Sequence, residues 1–191
     1  MLPATRALLI ANVVIFGLQF LLPDRIEELF ALWPLDAGFA PWQLVSYAFL
    51  HGGLAHIAFN MIGLTSFGNE LEAWWGAKRL YTFYFASVVT AAITQLAVTA
   101  SLGDPTPTVG ASGGIYGLLL GYAMMFPRRK VIPLIPPIPM PAWVFALLFA
   151  GLELYLGVTG TASGIAHFAH LGGMVGGFLM LRHWRIRAAN D

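Results

Sequence analysis

The lysines and arginines of this chain are sorted along the sequence, and that sorting constrains the fold more than any other feature. Six mostly apolar stretches can be marked: Ala7–Leu22, Leu54–Phe67, Leu80–Leu102, Ser112–Phe126, Ala142–Leu156 and Ile165–Leu181. Arg6 precedes the first, and Lys78 and Arg79 follow the second. Arg128, Arg129 and Lys130 follow the fourth, and Arg182, Arg185 and Arg187 follow the sixth. A helix crosses a bilayer with about 20 apolar residues, and loops rich in Lys and Arg stay on the cytoplasmic side. Six crossings with both termini cytoplasmic put these clusters on one face and leave only Arg25 on the other. One crossing more or fewer would scatter them. The sequence thus predicts an all-α membrane protein, a six-transmembrane-helix bundle formed by residues 1–191 as one domain.

Composition agrees with lipid as the main solvent. Only 10% of residues are charged and 58% are hydrophobic, against about 25% charged in soluble domains. A net charge of +1 leaves no basic face dense enough for nucleic acid. The lack of cysteine excludes disulfides, thiolate metal sites and a cysteine nucleophile. Ala7–Leu22 has no small-x-small cleavage signal before Pro23, so it reads as a retained span rather than a signal peptide. Between the first two stretches, residues 23–53 carry Asp24, Arg25, Glu27, Glu28 and Asp36. There Ile26, Leu29, Phe30 and Trp33 fall at helical spacing. That pattern predicts an interfacial loop lying in the membrane surface. Five prolines between Pro133 and Pro141 predict a stiff connector on the inner side.

Ionisable and polar groups are costly at membrane depth and mark functional sites. Most of them open three alternate stretches. His51, His56 and Asn60 stand at the second, Gly110-Ala-Ser112-Gly113-Gly-Ile-Tyr116 at the fourth, and His167 and His170 at the sixth. On the topology above, all three openings face outside and can converge. Ser112–Phe126 is 15 residues, a helix of about 22 Å against a hydrocarbon core of about 30 Å. With its inner end anchored by Arg128, Arg129 and Lys130, Ser112 lies below the outer surface. The loop Gly103–Ala111 must then dip inward and line a water-filled cavity, because bare backbone cannot face lipid. His56 and Asn60, four apart, share a helical face and can aim two donors at one point. Tyr116 lies on the face of Ser112 one turn deeper, where its ring could support an imidazole. Gly113, Gly117 and Gly121 repeat every four residues, as do Gly173 and Gly177. Small residues at that period let helices approach closely, which would bring His170 within reach of Ser112.

With these motifs in order, the chain resembles the rhomboid protease family. The match is carried by Gly110-Ala-Ser112-Gly-Gly with Tyr116, by His56-x-x-x-Asn60, and by Ala169-His170-x-x-Gly173-x-x-x-Gly177. Trp42-Gln43, the run Tyr47–His51 and Glu72-x-x-x-Gly76 extend it over essentially the whole chain. The resemblance implies a serine endopeptidase cutting transmembrane segments of single-span proteins within the lipid bilayer. It implies Ser112 as nucleophile, His170 as general base, and an oxyanion hole from the Ser112 N–H with His56 and Asn60. It implies no cofactor and no metal. It implies a Ser–His dyad, and the outer half of the later spans is expected to lack any acidic residue. Gln43 stands where many members carry Arg, which puts in doubt a loop-anchoring or lipid-contacting role there.

Other readings compete. His51 reads as a structural loop histidine satisfied by backbone, and Glu72 as a structural group holding the inner loop through backbone amides. His167, one turn from His170, is expected nearer the cavity mouth. A metalloprotease would need His-Glu-x-x-His or a carboxylate beside His167 and His170, and neither is expected. A non-catalytic rhomboid-like protein that escorts membrane clients is the main alternative. A small transporter would need an inverted repeat that is not visible. A prokaryotic cytoplasmic membrane is the expected location, with the site opening outward. The outer end of the fifth stretch, through the glycine-rich run to residue 164, is expected to move to admit substrate.

Overall fold

The computed structural model describes residues 1–160 and 166–190. Ile165, where the sequence reading starts the sixth stretch, and residues 161–164 of the expected moving loop lie outside them. Each apolar stretch is otherwise helical. The helices are α1 (Pro3–Leu21), α4 (Leu54–Trp75), α5 (Ala77–Leu102), α6 (Ser112–Met125), α7 (Ala142–Thr159) and α8 (His167–Asn190). Two short helices, α2 (Pro23–Phe30) and α3 (Gln43–Ser46), lie between α1 and α4 and lead into a 3₁₀ turn, Tyr47–Phe49. The proline-rich connector is a small antiparallel hairpin of β1 (Lys130–Val131) and β2 (Met140–Pro141). Among the described residues, three helices are long and apolar enough to cross a membrane: α1, α5 and α7. The other three long helices carry the polar segments of the candidate site.

Helix α4 runs two turns past the end of its apolar stretch. Glu70 and Glu72 interrupt the hydropathy there but not the helix, because Leu64, Phe67, Gly68, Leu71 and Glu72 form one buried stripe. Gly76, at φ +76°, ends it. Glu72 does hold backbone amides, but those of α1 rather than of the inner loop. Its carboxylate accepts the N–H groups of Ala4 and Thr5 at 2.8 Å each and the Thr5 hydroxyl at 2.7 Å. The first turn of α1 has no capping side chain of its own, so a carboxylate from a neighbouring helix satisfies its orphan donors.

Helix α6 is the centre of the bundle. Gly113, Gly114, Ile115, Gly117, Leu118, Leu119, Gly121, Tyr122 and Ala123 are all buried, the pattern of a helix enclosed on every side. It packs on α4, α5, α7 and α8. Glycines set the spacing to α8: a Cβ on Gly173 would lie 1.9 Å from the Gly113 carbonyl oxygen. One on Gly177 would lie 3.1 Å from that of Gly117. Gly121 belongs to a different contact, since its Cβ would meet the Phe83 ring of α5 at 2.9 Å. On the other face of α8, Gly172 and Gly176 admit Thr94 and Thr90 of α5.

The segment between α1 and α4 is held by its own backbone and by one buried amide. Gln43 is 2% exposed. Its Oε1 accepts the N–H groups of Trp33 at 3.2 Å and Ala40 at 3.1 Å. Glutamine therefore does anchor this loop. The Trp42 indole N–H donates to the Leu29 carbonyl at 2.9 Å. Leu32 and Thr108 exchange two backbone hydrogen bonds of 2.9 Å, which join this segment to the loop before α6.

Candidate active site

The starts of α4, α6 and α8 converge on a cavity of about 600 Å³. Its walls include His56, Asn60, Gly110, Ser112, Tyr116, Glu153 and His170. The loop before α6 supplies Asp104 and Thr106 through Gly110, as the short fourth stretch requires. Ser112 is the first residue of α6, and His170 lies one turn into α8. Their Oγ and Nε2 atoms are 2.7 Å apart. The glycine contact between Gly113 and Gly173 makes this approach possible. The Tyr116 ring stacks flat on the His170 ring, with centroids 4.3 Å apart and planes within 4°. Tyr116 thus lies flat against the imidazole, one turn into α6 from Ser112.

Two donors opposite the serine are uncommitted. His56 Nδ1 accepts the Gly52 N–H at 3.3 Å, so a neutral His56 carries its proton on Nε2. Gly110 sits against that nitrogen. At φ +131° a side chain is strained there, and its Cβ would lie 2.8 Å from His56 Nε2. Asn60 Nδ2 is buried without a hydrogen-bond partner. The Ser112 N–H, at the start of a helix, has no intrahelical acceptor. Gly113 lies against α5, with an added Cβ 2.5 Å from Ala91, and Gly177 lies deeper along the α6–α8 seam.

Two histidines depart from their expected surroundings. The backbone of His51 is held by Gln19, through bonds of 2.9 and 3.3 Å. Its ring nitrogens make no hydrogen bond of full geometry, although the Phe49 backbone lies close enough to act on the ring. The ring lies edge-on to Phe16 and to His56. Burial pushes its pKa down to about 4, helped by the neighbouring His56 ring, so it stays neutral at physiological pH. His167 is not near the cavity mouth; it is 6% exposed and absent from the cavity wall.

Its partner corrects the expectation that no carboxylate serves this region. Glu153, in the C-terminal half of α7, is buried, and its Oε2 lies 2.6 Å from His167 Nδ1. Its Oε1 accepts the Tyr116 hydroxyl and lies 3.0 Å from His170 Nδ1. Sequence reasoning missed Glu153, although a single acid inside an otherwise uncharged apolar stretch was the available signal. Glu153, His167 and His170 are also the one metal-capable cluster among the described residues, their ligand atoms lying within 4.8 Å of one another. Two of those separations, 2.6 and 3.0 Å, are hydrogen-bond lengths. Ligand atoms around a tetrahedral zinc would stand about 3.4 Å apart.

The fold is largely helical, with apolar helices of spanning length, and it pairs a serine with an imidazole beside a polar cavity. That combination is a helical membrane protein with a serine and a histidine at hydrogen-bond distance beside the cavity. A family model described as the Rhomboid domain matches residues 39–185, and the chain belongs to the Rhomboid family. It is 32% identical over 184 residues to Rhomboid protein 1, mitochondrial, of Saccharomyces cerevisiae, covering 91% of this chain and 51% of that protein. It is 31% identical over 139 residues to Rhomboid protease GluP of Bacillus subtilis, covering 72% of this chain and 25% of the relative. It is 30% identical over 199 residues to Rhomboid protease GlpG of Serratia proteamaculans, covering 99% of this chain and 66% of the relative. The chain thus spans between a quarter and about two thirds of the length of these relatives.

Proposed function

We propose that this protein is an intramembrane serine endopeptidase that cuts transmembrane segments of single-span proteins. The observation that carries the proposal is the 2.7 Å approach of Ser112 Oγ to His170 Nε2 at the wall of a polar cavity. Two relatives named as proteases support it. Ser112 Oγ attacks the scissile carbonyl carbon while its proton passes to His170 Nε2. The tetrahedral oxyanion is received by the Ser112 N–H, His56 Nε2–H and Asn60 Nδ2–H. His170 then returns the proton to the leaving amine, and a water from the cavity hydrolyses the acyl-enzyme by the same steps. The reading takes residues 1–191 as one six-span domain with both termini cytoplasmic and residues 23–53 as an interfacial loop. The distribution of basic residues supports that topology. Helix α6, with 14 residues, is about 21 Å long and leaves Ser112 beneath the outer surface. One relative is named as mitochondrial beside the bacterial ones. The prokaryotic cytoplasmic membrane expected from the sequence is retained as part of the proposal.

Labelling with a fluorophosphonate tests the reading independently of any substrate preference. The reagent is expected to attach to Ser112, identified by peptide mass, and to leave His170→Ala unlabelled. A folded wild-type protein that resists the reagent would instead favour a rhomboid-like protein that binds or escorts membrane clients. The oxyanion donors give a second expected result. His56→Ala and Asn60→Ala should each lower kcat about 100- to 1,000-fold with folding unchanged, because neither side chain holds the bundle together. Substrate turnover and thermal unfolding of the same preparations check this. A loss of melting temperature matching the loss of rate would count against it.

A further inference from the structure

Resting on the protease reading above, we propose that Glu153 completes a Ser–His–Glu triad. It is a positioning residue that accepts the Nδ1–H of His170 and stabilises the imidazolium formed when Ser112 gives up its proton. Glu153 is buried on a helix, α7, that carries no other ionisable acid or base besides Tyr155. A carboxylate in that setting needs partners, and it has them. His167 Nδ1 meets Oε2 at 2.6 Å, and the Tyr116 hydroxyl donates to Oε1. His170 Nδ1 stands 3.0 Å from the same Oε1.

The tautomer of His170 selects among these contacts. When the Ser112 hydroxyl donates to Nε2 across 2.7 Å, a neutral His170 must carry its own proton on Nδ1. That nitrogen is buried and has no hydrogen-bond acceptor on its N–H axis. A buried N–H left without an acceptor is destabilising, and Glu153 Oε1 is the group within range. It stands off the line of the N–H at 3.0 Å and must come onto that line for the bond to form. Catalytic hydrogen bonds commonly tighten in this way once substrate is bound. A carboxylate has lone pairs enough for three donors. His167 holds Oε2, leaving Oε1 for Tyr116 and His170. Tyr116 therefore has two tasks. Its face fixes the plane of the His170 ring, and its hydroxyl fixes the carboxylate that the ring must reach.

In the reaction no additional proton is required. The Ser112 proton moves to Nε2, Nδ1 keeps its own, and the carboxylate stays ionised beside the resulting imidazolium. Histidine labelled with ¹⁵N in the wild-type protein should report His170 as the Nδ1–H tautomer, with that proton shifted downfield. The shift should disappear in E153Q. In turnover, E153Q should lose about 100- to 10,000-fold in kcat with KM nearly unchanged, and E153D should recover part of the loss. A wild-type His170 protonated on Nε2 would overturn the proposal, as would a folded E153Q that cleaves within about threefold of wild type. The tautomer is read without any cleavage and without any substitution. Its failure is therefore distinct from failure of the protease reading, which rests on labelling of Ser112.

Discussion

Ser112→Ala is expected to reduce cleavage of a single-span reporter by at least about 10⁴-fold while leaving the fold intact. The serine side chain is half-buried at the cavity wall and, among the described residues, makes one side-chain hydrogen bond, to His170. Its removal takes away a nucleophile and little packing, so helix content and melting temperature should match the wild type. His170→Ala should be nearly as damaging and should not add to Ser112→Ala in the double variant, since the two groups act as one unit. Turnover of a fluorescent reporter in liposomes measures both. Cleavage that persists in Ser112→Ala would falsify the assignment and turn attention to the Glu153, His167 and His170 cluster.

Gly173→Ala should be the most disruptive change away from the chemistry. The added Cβ would lie 1.9 Å from the Gly113 carbonyl oxygen and 2.7 Å from its carbon. Backbone cannot swing aside as the end of a side chain can, so α8 must move off α6. Overpacking typically costs about 1–3 kcal/mol, and this clash falls at or beyond the upper end. The same displacement separates His170 from Ser112, and a misplacement of about 1 Å can cost about 100-fold in rate. The expected result is a lower melting temperature in detergent together with a loss of fluorophosphonate labelling. Gly151→Ala on α7, where an added Cβ meets nothing within 4 Å, is the matching control and should change neither. Retained labelling in Gly173→Ala would mean that the seam is looser than its geometry implies.

The helices were legible because hydropathy and helical period agree along most of the chain, and the site because polar groups are so conspicuous among apolar ones. Ser112 begins its helix, and His56, Asn60 and His170 lie within the first two turns of theirs; a helix start is readable from one stretch of sequence. Glu153 was not legible in the same way. It sits 14 residues from His167 and 37 from Tyr116, in the middle of a stretch whose inward face no local pattern distinguishes. Only the packing of α7 on α8 decides that it points at two histidines. Glu72 was misread for a related reason. Its role as a helix cap depends on where α1 begins relative to α4, 67 residues away. Gln43 is the converse case. Its departure from the family pattern suggested a lost anchor, but its amide oxygen collects two backbone N–H groups, which the donor-only guanidinium of an arginine could not accept. Contacts between distant segments are set by three-dimensional closure, and a single sequence read locally does not contain it.

The pair of hydrogen bonds between Leu32 and Thr108 has a consequence for how this protein can vary. Both bonds join main-chain atoms, and a third main-chain bond of 3.0 Å runs from the Gly110 N–H to the Tyr47 carbonyl. Together they lash the peripheral loop to the peptide that delivers the nucleophile, two residues upstream of it. Of the twenty residue types only proline lacks the necessary donor. The two bonds at positions 32 and 108 are thus indifferent to side-chain identity, although Leu32 is also fixed by its own burial in the core. Drift at the half-buried position 108 can therefore be large among descendants while the nucleophile's seat stays still. A deletion of one residue on either side would be felt at once.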